Sequence, residues 1–190
     1  MHLDDERVRA VMQTVRREDF LPERQHPFAL DDRALPIGFG QTCSQPTTVR
    51  HLLSLLEPAL GHRVLDVGSG SGWSTALLAA LVGPTGAVHG VELVEELVAR
   101  SRASLAGYSF PWATVEPADP NALGLAEHAP YDRILVSAES DVVPQALVEQ
   151  LTEDGRMVVP VAGRLSVVQR RGREPVQVQR VGYYRFVPLR

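Results

Sequence analysis

The stretch Arg63-Val64-Leu65-Asp66-Val67-Gly68-Ser69-Gly70-Ser71-Gly72, followed by Val91-Glu92, puts ligand-binding residue types at the spacing such binding needs. An apolar run ends in a turn with glycine at alternate positions, and an acid follows about 20 residues later. Glycines let the backbone approach a ligand closely, and the acid accepts hydrogen bonds from ribose hydroxyls. Open α/β sheets grip adenosine-containing cofactors in this way. The sixth position of the turn narrows the choice. Dinucleotide sites place Gly or Ala there, for tight helix packing and a pyrophosphate on the helix N-terminus. Here it is Trp73. The indole disfavours NAD and is compatible with S-adenosylmethionine, which has no phosphates to cradle. Asp66, just before the turn, is placed to receive the ligand's ammonium group or to anchor loop amides.

Other chemistries are excluded by composition. All 19 basic residues are Arg. Without lysine there is no Schiff base, no pyridoxal-phosphate anchor and no P-loop cation. The six His show no paired ligand spacing, and the lone Cys43 makes neither a zinc site nor an internal disulfide, so no metal is expected. A single cysteine fits a reducing cytoplasm. No apolar run reaches the roughly 18 residues of a membrane span, and Met1-His2-Leu3-Asp4-Asp5-Glu6 is too acidic for a signal peptide. Arg164 to Arg190 holds seven Arg against the one acid Glu174. A basic stretch can meet nucleic acid or an acidic peptide. The reading favoured here is the solvated face of a β-hairpin, with no nucleic acid and no membrane as partner.

A chain of 190 residues suits one domain with a good core. We divide it into an N-terminal extension and substrate loop (1–60), a cofactor-binding core (61–163) and C-terminal strands (164–190). Val8, Val11, Met12 and Val15 have helical spacing within Asp4–Glu18. Glu23–Pro46 reads as a long irregular segment, too apolar at Phe28, Leu30, Leu35, Ile37 and Phe39 for disorder and therefore functional. Thr47–Leu60 reads as a helix stopped by Gly61. Strands then alternate with helices: Val64–Val67, Ala87–Glu92, Trp112–Glu116, Tyr131–Ser137 and Arg156–Val161 against Trp73–Val82, Leu93–Leu105 and Val142–Leu151. That order predicts an α/β fold, a doubly wound, mostly parallel sheet with helices on both faces. Leu165–Arg170 and Val176–Val187, turning at Arg171-Gly172-Arg173, add a C-terminal hairpin with period-two burial at Val176, Val178 and Val181.

Leu35-Pro36-Ile37-Gly38-Phe39-Gly40-Gln41-Thr42-Cys43-Ser44-Gln45-Pro46 closely resembles the signature loop of the protein-L-isoaspartate O-methyltransferase family. Arg17-Glu18-Asp19-Phe20-Leu21-Pro22, the Val64–Gly72 turn, Ala129-Pro130-Tyr131-Asp132, Val143-Pro144-Gln145-Ala146-Leu147 and Arg185-Phe186-Val187-Pro188-Leu189 resemble it too, in the right order over nearly the whole chain. The resemblance implies a Rossmann-like class I methyltransferase, a monomer, that uses S-adenosylmethionine to methylate the free carboxylate of isoaspartyl residues in damaged proteins or peptides. The ester then closes to a succinimide, and hydrolysis returns some normal aspartate. Such an acceptor is already ionised at pH 7, so positioning and water exclusion matter more than a general base.

Carried onto these positions, the resemblance makes Ser44 the active-site hydroxyl that orients the acceptor carboxylate. Thr42 and Ser44 lie over the cofactor. Gly68, Ser69, Gly70 and Gly72 line its methionine and ribose end, Glu92 takes the ribose hydroxyls and Asp119 sits near the adenine, with Asp66 and Leu93 also counted as cofactor-binding. Leu35, Pro36, Ile37, Gly38 and Ala138 form the acceptor cleft. Plainer roles stand beside these. Ser44 can cap the next helix, Asp119 can serve a turn beside Pro120, and Cys43 reads as a small apolar side chain. Two stretches depart from the family's pattern. Ala118-Asp119-Pro120 stands where it has Gly-Asp-Gly. Ala138-Glu139-Ser140-Asp141 brings two acids that would repel an isoaspartyl group if they faced it. They keep one alternative open, a related carboxyl methyltransferase with a dedicated peptide or small-molecule acceptor; the arginine-rich C-terminal stretch keeps another, a cofactor-binding protein without catalysis that acts as an interaction module.

Overall fold

In the computed structural model, which describes residues 3–172 and 176–189, the chain opens with helix α1 (Leu3–Thr14) and two short 3-10 turns, Arg17–Phe20 and Glu23–Phe28. Part of the segment expected to be irregular is a hairpin. Strands β1 (Leu35–Gly38) and β2 (Gln41–Cys43) pair antiparallel, with Leu35 opposite Cys43. Phe39 (φ 54°) and Gly40 (φ 72°) make the turn in left-handed conformation. Strands of three or four residues are too short for an alternation to be read from sequence, yet Leu35, Ile37 and Cys43 all turn inward to the core.

Helix α2 (Pro46–Leu56) starts on a proline, whose missing N–H costs nothing at that position. It stops at Leu56 rather than Leu60. Glu57 takes a left-handed φ of 52° and donates its N–H to Leu53 O, and Pro58 cannot continue the helix. The stop expected at Gly61 is therefore misplaced; Gly61 N–H instead bonds Val82 O.

The alternation that follows builds a seven-stranded sheet from β3 (Arg63–Val67), β4 (Ala87–Glu92), β5 (Ala113–Pro117), β6 (Tyr131–Val136), β7 (Leu151–Val161), β8 (Arg164–Gln169) and β9 (Gln177–Tyr183). Their order is β5-β4-β3-β6-β7-β8-β9. The first five in that order are mutually parallel; β8 runs antiparallel to β7 and β9 to β8. Helices α3 (Trp73–Val82) and α4 (Glu95–Ala106), with α1 and α2, bury one face; α5 (Gln145–Glu149) serves the other. This is the expected doubly wound, mostly parallel α/β architecture. The order in which strands are added reverses at β3, since β4 and β5 lie to one side and β6 to the other. A crevice opens there at the strands' C-terminal ends.

Three boundaries differ from expectation for physical reasons. Helix α5 begins only after Pro144, leaving Val142 69% exposed. β7 starts at Leu151, because Leu151 pairs with Tyr131 before a register break brings Arg156 opposite Arg133. β9 ends at Tyr183 and lies exposed at the sheet's edge: Val178 is 46% exposed, so the period-two burial is absent. Arg173 of the expected turn lies outside the described residues. No helix among those described is long and apolar enough to cross a membrane.

Candidate active site

The glycine turn hangs from the sheet by main-chain bonds. Gly68 N–H and Ser69 N–H both donate to Val91 O, at 2.9 and 3.1 Å. Gly70 N–H donates to Glu92 Oε2 (2.9 Å), and Val94 N–H to Glu92 Oε1 (3.1 Å). Glu92 thus splints the turn to the end of β4, and each oxygen keeps acceptor capacity for a ligand. Gly72 has a left-handed φ of 85°, and a Cβ there would sit 2.7 Å from Ser101 Cβ, so glycine lets α3 and α4 pack closely.

Asp66 is fully buried beneath this turn. Its Oδ2 accepts hydrogen bonds from the Ser74 and Thr75 hydroxyls, both at 2.7 Å, and so anchors the first turn of α3. Burial pushes its carboxyl up to about 6, although the two hydroxyls pull the other way. Asp66 is not on the cavity wall and holds no loop amide; it fixes the helix below. Its Oδ1, and Ser69 Oγ on the wall, are buried without a hydrogen-bond partner among the described residues.

A cavity of ≈ 490 Å³ occupies the crevice, within the range of small-ligand sites. Of the expected residues, Thr42, Ser44, Gly68, Ser69, Gly70, Glu92, Leu93, Asp119 and Ala138 line it. Gly72 and Asp66 stand behind the wall. Leu35 and Ile37 are 0% and 1% exposed, packed in the core, while Pro36 is exposed and Gly38 half-buried; none of Leu35–Gly38 lines this cavity. The charged wall residues among those described are two acids, Glu92 and Asp119, with no cation. That electrostatic character suits a cationic sulfonium and opposes a pyrophosphate, and the unpartnered Ser69 hydroxyl offers a polar contact. S-adenosylmethionine fits these residues.

Ser44 follows β2, and long-range contacts hold its loop. Arg17, 5% exposed, donates through Nη1 to Asp31 O (3.1 Å) and through Nη2 to Arg33 O (2.8 Å), Cys43 O (3.0 Å) and Ser44 O (2.9 Å). Its guanidinium also lies over the Trp73 ring, 5.6 Å from the centroid. Asp32 reaches across to the start of α2, accepting from Thr47 N–H (2.9 Å), the Thr47 hydroxyl (2.8 Å) and Gln45 Nε2 (3.0 Å). Those bonds, the Thr47 N–H first, hold its carboxyl below the usual range. Asp32 therefore caps α2, and the Ser44 hydroxyl makes no hydrogen bond among the described residues. Burial pushes the neighbouring Cys43 thiol up.

Asp119 serves both readings: Oδ1 accepts Asn121 N–H at 2.8 Å, and the residue lines the cavity. Glu139 and Asp141 do not line it. Glu139 Oε1 accepts Gly163 N–H (3.1 Å), and its main chain exchanges 2.7 Å bonds with Val187 and Leu189. That ladder lays Val187, Pro188 and Leu189 along the cavity, a wall for which no role was expected. Arg17 and Asp32 were also missed as supports. The Arg17–Pro22 stretch carried the only signal, a resemblance with no role attached.

The family model of protein-L-isoaspartate(D-aspartate) O-methyltransferase (PCMT) matches residues 2–190. A protein-L-isoaspartate O-methyltransferase of Methanothrix thermoacetophila is 43% identical over 97% of this chain and 88% of its own. One from Roseiflexus sp. is 43% identical over 97% and 84%. A Plasmodium falciparum structure described as a beta-aspartate methyltransferase in complex with S-adenosyl-L-homocysteine is 24% identical, with a TM-score of 0.87 over 99% of this chain and 92% of that one; at that identity it speaks to the fold. A match along almost the whole chain, with relatives of about the same extent, makes this protein a member of the protein-L-isoaspartate(D-aspartate) O-methyltransferase family.

Proposed function

We propose that this protein methylates the free carboxylate of L-isoaspartyl residues in damaged proteins and peptides, drawing the methyl group from S-adenosylmethionine. The observation that carries the reading is a cavity with acids and no cation on its described wall, bordered by a serine whose hydroxyl is released from helix capping. When bound, S-adenosylmethionine supplies an electrophilic methyl group on a sulfonium. Glu92 takes the ribose hydroxyls, Asp119 stands toward the adenine, and Ser69 and the Gly68–Gly70 backbone take the methionine end. Ser44 donates a hydrogen bond to the acceptor carboxylate and orients it. That carboxylate is ionised at neutral pH, so no side chain has to remove a proton. Trp73, Val187, Pro188 and Leu189 keep water from the reacting groups, and the acceleration comes from orientation.

The acids that favoured a different acceptor, Glu139 and Asp141, lie off the wall, so isoaspartate is retained as substrate. A cytoplasmic monomer that binds neither membrane nor nucleic acid completes the reading. The buried free thiol of Cys43 supports the reducing compartment.

The test is methyl transfer from labelled S-adenosylmethionine to matched isoaspartyl and aspartyl peptides. Labelling of the isoaspartyl peptide alone, sharply reduced in Ser44→Ala without a change in melting temperature, is the expected result. Cofactor binding with no labelling of either peptide would overturn it.

A further inference from the structure

Three side chains that the reaction does not use converge on the far side of the sheet, near its β5 edge. His89 stands on β4 and Glu116 on the neighbouring β5. His128 ends the 3-10 turn Ala126–His128. One ligand atom from each lies within 4.8 Å of the others. His89 Nδ1 is 3.9 Å from Glu116 Oε1, and the two imidazoles stack with centroids 4.2 Å apart. We propose that His89, Glu116 and His128 form a binding site for a divalent transition-metal ion of the zinc type. The inference rests on this geometry alone and stands apart from the proposed methyl transfer.

Two imidazoles and a carboxylate are a donor set that zinc and its neighbours favour over magnesium. A fourth position is open to water or to Glu127, whose Oε1 is 3.8 Å from His128 Nε2. The Thr114 hydroxyl lies beside two of the ligands, 3.3 Å from His89 Nδ1 and 3.2 Å from Glu116 Oε1, and has to give way when those atoms take the ion. The charge balance is favourable. Arg63 is a nearby cation, and Glu116 and Glu127 oppose it; Asp132 accepts the Arg63 main-chain N–H at 2.8 Å.

Metal–ligand bonds of about 2.0–2.2 Å need the ligand atoms to close to roughly 3.4 Å. Parallel rings cannot aim their in-plane lone pairs at one ion, so one imidazole has to tilt. His128 is the ring free to do so. Its side chain is 43% exposed, while Arg63 Nη1 holds its carbonyl at 3.1 Å. The ion would tie the turn at His128 to the strands. That turn directly follows Ala118–Gly124, a wall of the cofactor cavity. The ligands are far apart in the chain, so only folding brings them together.

Calorimetric titration of chelator-treated full-length protein with zinc chloride, and separately with magnesium chloride, tests the site. One saturable zinc site is expected, weakened more than about tenfold in both His128→Ala and Glu116→Gln, with no comparable magnesium binding. His128 is exposed enough for its variant to keep the wild-type melt, which separates ligand loss from misfolding. Absence of saturable zinc binding, affinity in His128→Ala within about twofold of wild type, or equal affinity for magnesium would each overturn the proposal.

Discussion

The two sides of the cavity are held in opposite ways. The glycine turn is positioned locally, by left-handed glycines, the carbonyl of Val91 and a carboxylate at the end of the adjoining strand. The Ser44 loop is positioned from afar: a buried arginine from residue 17 gathers carbonyls at 31, 33, 43 and 44, and Asp32 caps the helix that follows. One side is a property of a short sequence. The other exists only when the N-terminal elements are docked. The sides touch where the Arg17 guanidinium covers Trp73, but their main supports differ, so cofactor affinity and the placement of Ser44 are expected to separate in large part.

The largest effect is expected from Arg17→Met, which strands several buried carbonyls together. Loss of a buried, multiply bonded charge costs about 3–5 kcal/mol, or roughly 6–20 °C in a melt at this chain length. Methyl transfer should fall with it, and Cys43 should become open to alkylation in the native protein. A melt within a degree or so of wild type would remove Arg17 as the support of that side.

Next comes Asp66→Asn, which tests the turn's foundation through pH. The native carboxyl sits at about 6 against an ordinary 3.8, so the folded state holds a proton that the unfolded state releases between those values. Stability is expected to fall as pH rises from about 4 to 6, by up to about 3 kcal/mol, and to level off above. The asparagine variant should lose that slope in denaturant titrations across the window. An unchanged slope would show that Asp66 is not its source.

Glu92→Ala is expected to weaken S-adenosylhomocysteine binding roughly 10–100-fold, about 1.4–2.8 kcal/mol, with unaltered Cys43 reactivity. Calorimetry and alkylation together sharpen the contrast, since a simultaneous rise in reactivity would mean that the two sides are one unit. The smallest change is expected from Asp32→Ala. It should lower the melting temperature less than Arg17→Met does and leave cofactor affinity intact; a loss of affinity would contradict separability.

This contrast also explains what was legible in the sequence. Strand and helix alternation from Val64 to Val161, the turn and Glu92 could be read because their determinants are contiguous: apolar runs, glycine spacing, an acid at a set distance. The β1–β2 hairpin could not, since its strands are too short for a period. The inward turn of Leu35 and Ile37 could not be read, because a motif conveys proximity to a site but not which way a side chain turns. Arg17 and Asp32 act across long separations, and a charged residue in sequence looks solvated until its partners are known. The Val187–Leu189 wall depends on a main-chain ladder to Glu139, which has no side-chain signature at all.

Strand β9, exposed at the rim of the sheet, bears on how copies of this protein behave at high concentration. An outer strand with free main-chain donors and acceptors is a template for adding another strand, and hence for aggregation. Here β9 carries Gln177, Gln179 and Arg180 in the open and a left-handed Gly182, and it meets β8 with a register break at Arg164. Charge and local distortion both oppose stacking of a second copy. The arginine-rich stretch thus acts as a guard on the edge, and replacing Arg180 with an apolar β-former is the change most apt to turn this rim into a nucleus for insoluble assemblies.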